Sequence, residues 1–127
     1  MFARRGIGGI IQPMNGMTFL KNLADGAPLD GAYYFCGEDS YSLDKGIRAV
    51  VGRTNPDLRD MNVQRLRNPA PADVINAAET LPFFDETRVV AVLEFDADAA
   101  NALAEYALKT PETSVLLFVR GGKAPAG

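Results

Sequence analysis

Three short apolar runs constrain this chain more than any other feature. Ala32 to Cys36 (Ala-Tyr-Tyr-Phe-Cys), Arg88 to Leu93 (Arg-Val-Val-Ala-Val-Leu) and Ser114 to Val119 (Ser-Val-Leu-Leu-Phe-Val) lack the polar alternation of a half-exposed strand. Such runs fit strands covered on both faces. Helical patterns lie between them. Thr18 to Ala24 is a short helix candidate, closed by Gly26 and Pro28. A second helix, capped by Asp39 or Ser40, runs to about Val51 with Leu43, Ile47 and Val50 on one face and Gly52 at its end. Met61 to Leu66 alternates Met61 and Val63 with Asn62 and Gln64, the pattern of an outer strand with one wet face. Pro71 opens a helix whose apolar face is Val74, Ile75, Ala77, Ala78 and Leu81. Asp96 or Asp98 caps an alanine-rich helix that carries Leu103, Tyr106 and Ala107 and stops at Pro111. Helices alternating with buried strands require crossover connections. The expected fold class is therefore α/β, a doubly wound parallel sheet with helices on both sides.

Composition removes several kinds of chemistry. At 127 residues and 13.7 kDa the chain is long enough for one hydrophobic core. Its 47% hydrophobic and 23% charged residues are ordinary for a globular protein, and no apolar run approaches the roughly 18 residues of a membrane span. No membrane partner is expected. With one cysteine, Cys36, and no histidine there is no internal disulfide, no recognisable metal framework and no histidine base. The expectation is a cytoplasmic protein without catalytic residues, metal or cofactor in this domain. A net charge of -3 gives no bulk attraction to nucleic acid, although Lys45, Arg48, Arg53, Arg59, Arg65 and Arg67 make the stretch 45–67 locally basic. These read as solvated helix and strand faces.

At the start of the chain, Arg4-Arg5 and Gly6-Ile7-Gly8-Gly9-Ile10-Ile11 superficially suggest an export signal, but the apolar part is too short and too glycine-rich. Residues 1–16 are expected to be a flexible N-terminal extension whose removal leaves stability nearly unchanged, with Met14 or Met17 as alternative starts. The folded domain is then 17–127, and 121–127 reads as an end cut in a loop.

In an open parallel sheet, ligands bind beyond the carboxyl ends of the strands, and the first strand-to-helix turn is the usual phosphate cradle. Here that turn reads Gly37-Glu38-Asp39-Ser40-Tyr41-Ser42-Leu43-Asp44. Against the phosphate-loop pattern G-x-x-x-x-G-K-[ST], Gly37 matches, Ser42 replaces the second glycine, Leu43 the lysine and Asp44 the hydroxyl. Without that lysine, and with Glu38, Asp39 and Asp44 nearby, nucleotide hydrolysis is disfavoured. An alternative is a receiver-like signalling domain, with Mg²⁺ on Glu38 and Asp39 and Lys123-Ala124-Pro125 after the last strand. Against it, Glu94 stands where the phosphoacceptor aspartate belongs. The acids also read simply as helix-capping charges, and Tyr33, Tyr34 and Cys36 as core.

The most unusual segment is Thr80-Leu81-Pro82-Phe83-Phe84, an apolar cluster between a helix end and the charged Asp85-Glu86-Thr87-Arg88. Two adjacent phenylalanines in a loop need a destination. It is either the protein's own core or a partner, since clustered apolar side chains outside a core mark interaction surfaces.

From Met17 to Lys123 the chain resembles the N-terminal domain of the delta subunit of the bacterial DNA polymerase III clamp loader. The residues that carry the likeness are Tyr33-Tyr34-Phe35-Cys36-Gly37-Glu38-Asp39-Ser40-Tyr41, then Leu81-Pro82-Phe83-Phe84 followed by Arg88-Val89-Val90, and the strand Ser114 to Val119. The resemblance implies an AAA+-like (P-loop NTPase-like) domain whose degenerate phosphate loop does not hydrolyse ATP. It also implies a partner, the ring-shaped sliding clamp (the beta subunit of DNA polymerase III). In the family an apolar tip enters a hydrophobic pocket on that ring and helps open it. By motif, Leu81, Phe83 and Phe84 would be the anchors and Pro82 would stiffen the turn. Thr80 stands where such elements often carry glutamine. Full-length members add lid and collar domains that join the other loader subunits, so 17–127 reads as a fragment in which contact with DNA is indirect or weak. A degenerate nucleotide-binding domain is the remaining alternative.

Overall fold

The computed structural model describes residues 2–7, 10–26, 29, 31–37 and 40–121, with side chains described between Thr18 and Arg120. In chain order the elements are β1 (Phe2–Ile7), β2 (Ile10–Asn15), α1 (Gly16–Ala24), β3 (Gly31–Gly37), α2 (Ser40–Val51), a 3₁₀ turn (Pro56–Leu58), α3 (Arg59–Asn62), β4 (Val63–Arg67), α4 (Pro71–Glu79), β5 (Arg88–Leu93), α5 (Ala97–Ala107) and β6 (Ser114–Gly121). They build one six-stranded sheet of order β2-β1-β3-β6-β5-β4. Within it β3, β6, β5 and β4 are parallel, whereas β1 runs antiparallel to both β2 and β3.

The apolar runs work as their composition requires, sending alternate residues to opposite faces. On one face Tyr33, Phe35, Val89, Ala91, Val115, Leu117 and Val119 pack under Phe19 and Leu23 of α1 and Leu43, Ile47 and Val50 of α2. On the other, Ala32, Val90, Val92, Leu116 and Phe118 lie against Val74, Ala77 and Ala78 of α4 and Leu103 of α5. Two cores on two faces are the physical content of a doubly wound sheet, so the expected α/β class is the one observed. Asp96 caps α5 by accepting from the Ala99 N–H at 2.8 Å, and Gly26, at φ +87°, follows α1 in a conformation that favours glycine. Pro28 and Asp39 lie outside the described residues.

Three expectations are corrected. Residues 1–16, expected as a flexible extension, contain β1 and β2, and β1 pairs with β3 from Phe2↔Cys36 to Gly6↔Ala32. The backbone explains this better than the apolar pattern does: without β1, the N–H and C=O groups along that side of β3 would form an open sheet edge. Pro13 falls on β2, the outermost strand, the place in a sheet where proline is tolerated. Second, the outer strand begins at Val63. Met61 and Asn62 close the single turn α3, with Met61 exposed and Asn62, expected on a wet face, fully buried. Third, Leu81 leaves the apolar face of α4, because the helix stops at Glu79.

Parallel pairing gives the sheet two distinct ends. Gly31, Val63, Arg88 and Ser114 begin their strands at the amino end, where the 3₁₀ turn, α3 and the loop 80–87 gather. The turns into α2 and α5 leave from the carboxyl end.

Candidate partner-binding loop

The loop after α4 begins with a change of backbone direction. Thr80 is extended (φ -70°, ψ 127°), which ends the helix, and its hydroxyl donates to the Asn76 carbonyl at 2.9 Å, the acceptor that a helical Thr80 N–H would use. Leu81 is then 74% exposed, Phe83 44% and Phe84 83%, with Pro82 partly buried between them. The two rings meet edge to face, centroids 4.5 Å apart. Of the two destinations open to these phenylalanines, the core is excluded.

An exposed apolar loop with no packing of its own would collapse or fluctuate, and this one is held from three sides. Asn62 accepts from the Phe83 N–H at 2.6 Å and donates to the Phe83 carbonyl at 2.8 Å. The Asp85 carboxylate accepts from the Asn55 N–H at 2.9 Å and from the Glu86 N–H at 2.7 Å. At the end of the loop Arg88 is buried and its guanidinium donates to the carbonyls of Ala77 (2.7 Å) and Met61 (2.8 Å) and to the Gln64 side chain (2.6 Å). Arg88 thus joins α4, α3 and β4 beneath the loop, and burial lowers its pKa from the usual value. Phe84 sits at φ +48°, a left-handed conformation that ring-bearing residues seldom adopt.

Of the residues singled out from sequence, Leu81, Pro82, Phe83 and Phe84 come together on this loop. Met61, 56% exposed, lies at the same end of the sheet, next to the Asn62 that grips Phe83. Tyr41, 73% exposed, belongs to the opposite end. Asn62, Met61 and Arg88 were not identified as part of a site: the alternating pattern disguised the first two. For the third, the sequence offers an arginine heading an apolar strand, within the Arg88-Val89-Val90 that carries the family likeness, and no sign of the carbonyls it reaches.

Elsewhere, among the described residues, the candidate chemistry is not assembled. Leu43, in the place of the phosphate-loop lysine, is buried in the core. Glu94 is exposed and pairs with Arg67 at 2.8 Å. Glu38, Asp39 and 123–125 lie outside the described residues, and among the described residues no group of three or more His, Cys, Asp or Glu could hold a metal. In the basic stretch Arg48 pairs with Asp44 one helical turn away, and Arg59 donates to Thr54. No helix of the described residues is long and apolar enough to cross a membrane.

Comparisons with known proteins bear on the family and the fold. A search of curated proteins returned no match. Among solved structures, the chain is similar to the DNA clamp loader delta protein of Bacillus subtilis, at 18% identity and a TM-score of 0.69, over 83% of this chain and 35% of that one. It is also similar to a DNA polymerase III gamma subunit-related protein of Thermotoga maritima, at 16% identity and a TM-score of 0.56, over 85% of this chain and 40% of that one. At such identities the likeness concerns the fold, and the chain spans well under half the length of either protein. The family model for the DNA polymerase III delta subunit matches residues 33–125, most of the 127-residue chain, including the parallel sheet from Tyr33 onward, the loop and its supports. The chain belongs to the DNA polymerase III delta subunit family.

Proposed function

We propose that this domain is the sliding-clamp-binding part of a clamp-loader delta subunit and acts in DNA replication by inserting Leu81, Phe83 and Phe84 into an apolar pocket of the clamp ring. One observation carries the reading: a loop with two large rings in water whose backbone is nevertheless held by the buried Asn62 side chain. Presenting ordered rings to a partner avoids part of the conformational entropy that a floppy loop loses on binding. Aromatic side chains are also the side chains that most often dominate interfaces. Prising open a ring would follow from the same contact, since a ligand shifts an equilibrium by as much as it prefers one state. Joining the other loader subunits falls to regions beyond this domain, and any contact with DNA is indirect or weak. The domain itself contributes binding, with no catalytic step, metal or cofactor.

Titration of the purified sliding clamp into this chain tests the reading. Saturable binding is expected, with Phe84→Ala costing about 2 kcal/mol or more, Leu81→Ala and Phe83→Ala less, as for truncated hot-spot residues. Because the Phe84 ring lies largely in water, the unfolding free energy of Phe84→Ala should stay within about 1 kcal/mol of wild type. Wild-type affinity in the folded Phe84→Ala protein would defeat the proposal.

A further inference from the structure

Asn62 is fully buried, and the two hydrogen bonds of its side-chain amide described above end on the same residue, Phe83. Its oxygen accepts from the Phe83 N–H and its nitrogen donates to the Phe83 carbonyl, so one side chain replaces what a neighbouring strand would supply to that backbone. The flipped amide would place donor against donor and acceptor against acceptor, so the orientation follows from the contacts themselves. A buried amide costs free energy unless satisfied. The loop residue that satisfies it immediately precedes Phe84, whose φ of +48° its own side chain disfavours.

We infer that Asn62 is the positioning residue of the binding loop: by gripping the Phe83 backbone from α3 it holds the Phe83 and Phe84 rings in their outward arrangement and touches no partner itself. The inference rests on the clamp-binding reading above. An apolar side chain at 62 would fill the space but leave the Phe83 N–H and carbonyl without their partners. The loop then leaves this conformation to find water, Phe84 relaxes from the left-handed region, and only a fraction of molecules presents the rings. Apparent affinity falls by that fraction. The loss belongs to association, because complexes that do form keep every contact with the partner.

The experiment uses the whole chain and the purified sliding clamp, with Asn62→Leu, Asn62→Asp and Phe84→Ala. Association and dissociation rates, thermal unfolding and exchange of the Phe83 amide hydrogen are measured for each. Asn62→Leu is expected to slow association about tenfold with dissociation nearly unchanged, and to expose the Phe83 amide to exchange. Asn62→Asp keeps the acceptor and loses the donor, so it should shift both in the same direction. Phe84→Ala should instead speed dissociation. If both Asn62 variants associate like wild type, or slow association without loosening the Phe83 amide, the inference is wrong and the clamp-binding reading stands. If both variants unfold the domain, Asn62 supports the core and the inference is wrong. If wild type itself does not bind, the functional reading falls and the inference with it.

Discussion

Among single residues outside the apolar core, Arg88 links several elements at once. Its guanidinium satisfies two backbone carbonyls and the Gln64 side chain in a buried space where α3, α4 and β4 converge. Arg88→Leu would remove the charge, take from the Met61 carbonyl its guanidinium donor, and leave the Ala77 carbonyl with the longer 3.4 Å bond from the Thr80 N–H in place of the 2.7 Å one. Breaking such a buried polar network typically costs about 3 kcal/mol or more. Urea unfolding of Arg88→Leu should show that loss, against a much smaller one for Arg65→Leu on the exposed strand β4. This contrast also marks what a linear pattern conveys. The proposed anchors Leu81, Phe83 and Phe84 stand out in the sequence because apolar residues in a loop contradict their surroundings. Asn62 does not, because alternation in Met61–Leu66 has the same appearance whether the first two residues extend a strand or close a helical turn.

At the level of elements, three buried strands and four helices were legible to within a few residues, since burial on two faces and on one face leave different periodicities. The hairpin β1–β2 was not, because glycines and Pro13 obscure its period and its strongest organising partner, the side of β3, lies more than a dozen residues away in sequence. Deleting residues 1–15 therefore should not be neutral. It strips the ladder from β3, and we expect a loss of about 2 kcal/mol or more in unfolding free energy, at roughly 1 kcal/mol per net hydrogen bond. Self-association through the uncovered strand should accompany it in sedimentation. A second element-level contact joins α5 to α4, where the Tyr106 hydroxyl donates to Glu79 at 2.6 Å. Burial first, then the Glu79 carboxylate, raises the phenol's pKa above its ordinary value of about 10. A raised folded-state pKa means that the contribution is complete below about pH 10 and declines as pH rises from there through the folded value. Stability measured up to strongly alkaline pH should fall less steeply in Tyr106→Phe than in wild type.

Across the whole molecule, the two ends of the sheet have different characters. The carboxyl end, where a parallel sheet commonly holds its ligand, offers a core leucine at position 43 in place of a phosphate-binding cation. Calorimetry with Mg-ATP is expected to show no micromolar site; a tight one abolished by altering Gly37 would contradict this. The amino end carries the rings and the polar groups that fix them. The left-handed backbone at Phe84 has a final consequence for any attempt to copy the contact. The shape in which the rings are shown depends on α3, on Asn55 and on the head of β5, none of which belongs to the loop's own stretch of chain. A short peptide spelling Thr80 to Asp85 would carry the letters without the conformation, so the proposed binding surface would be a folded epitope and not a portable linear motif.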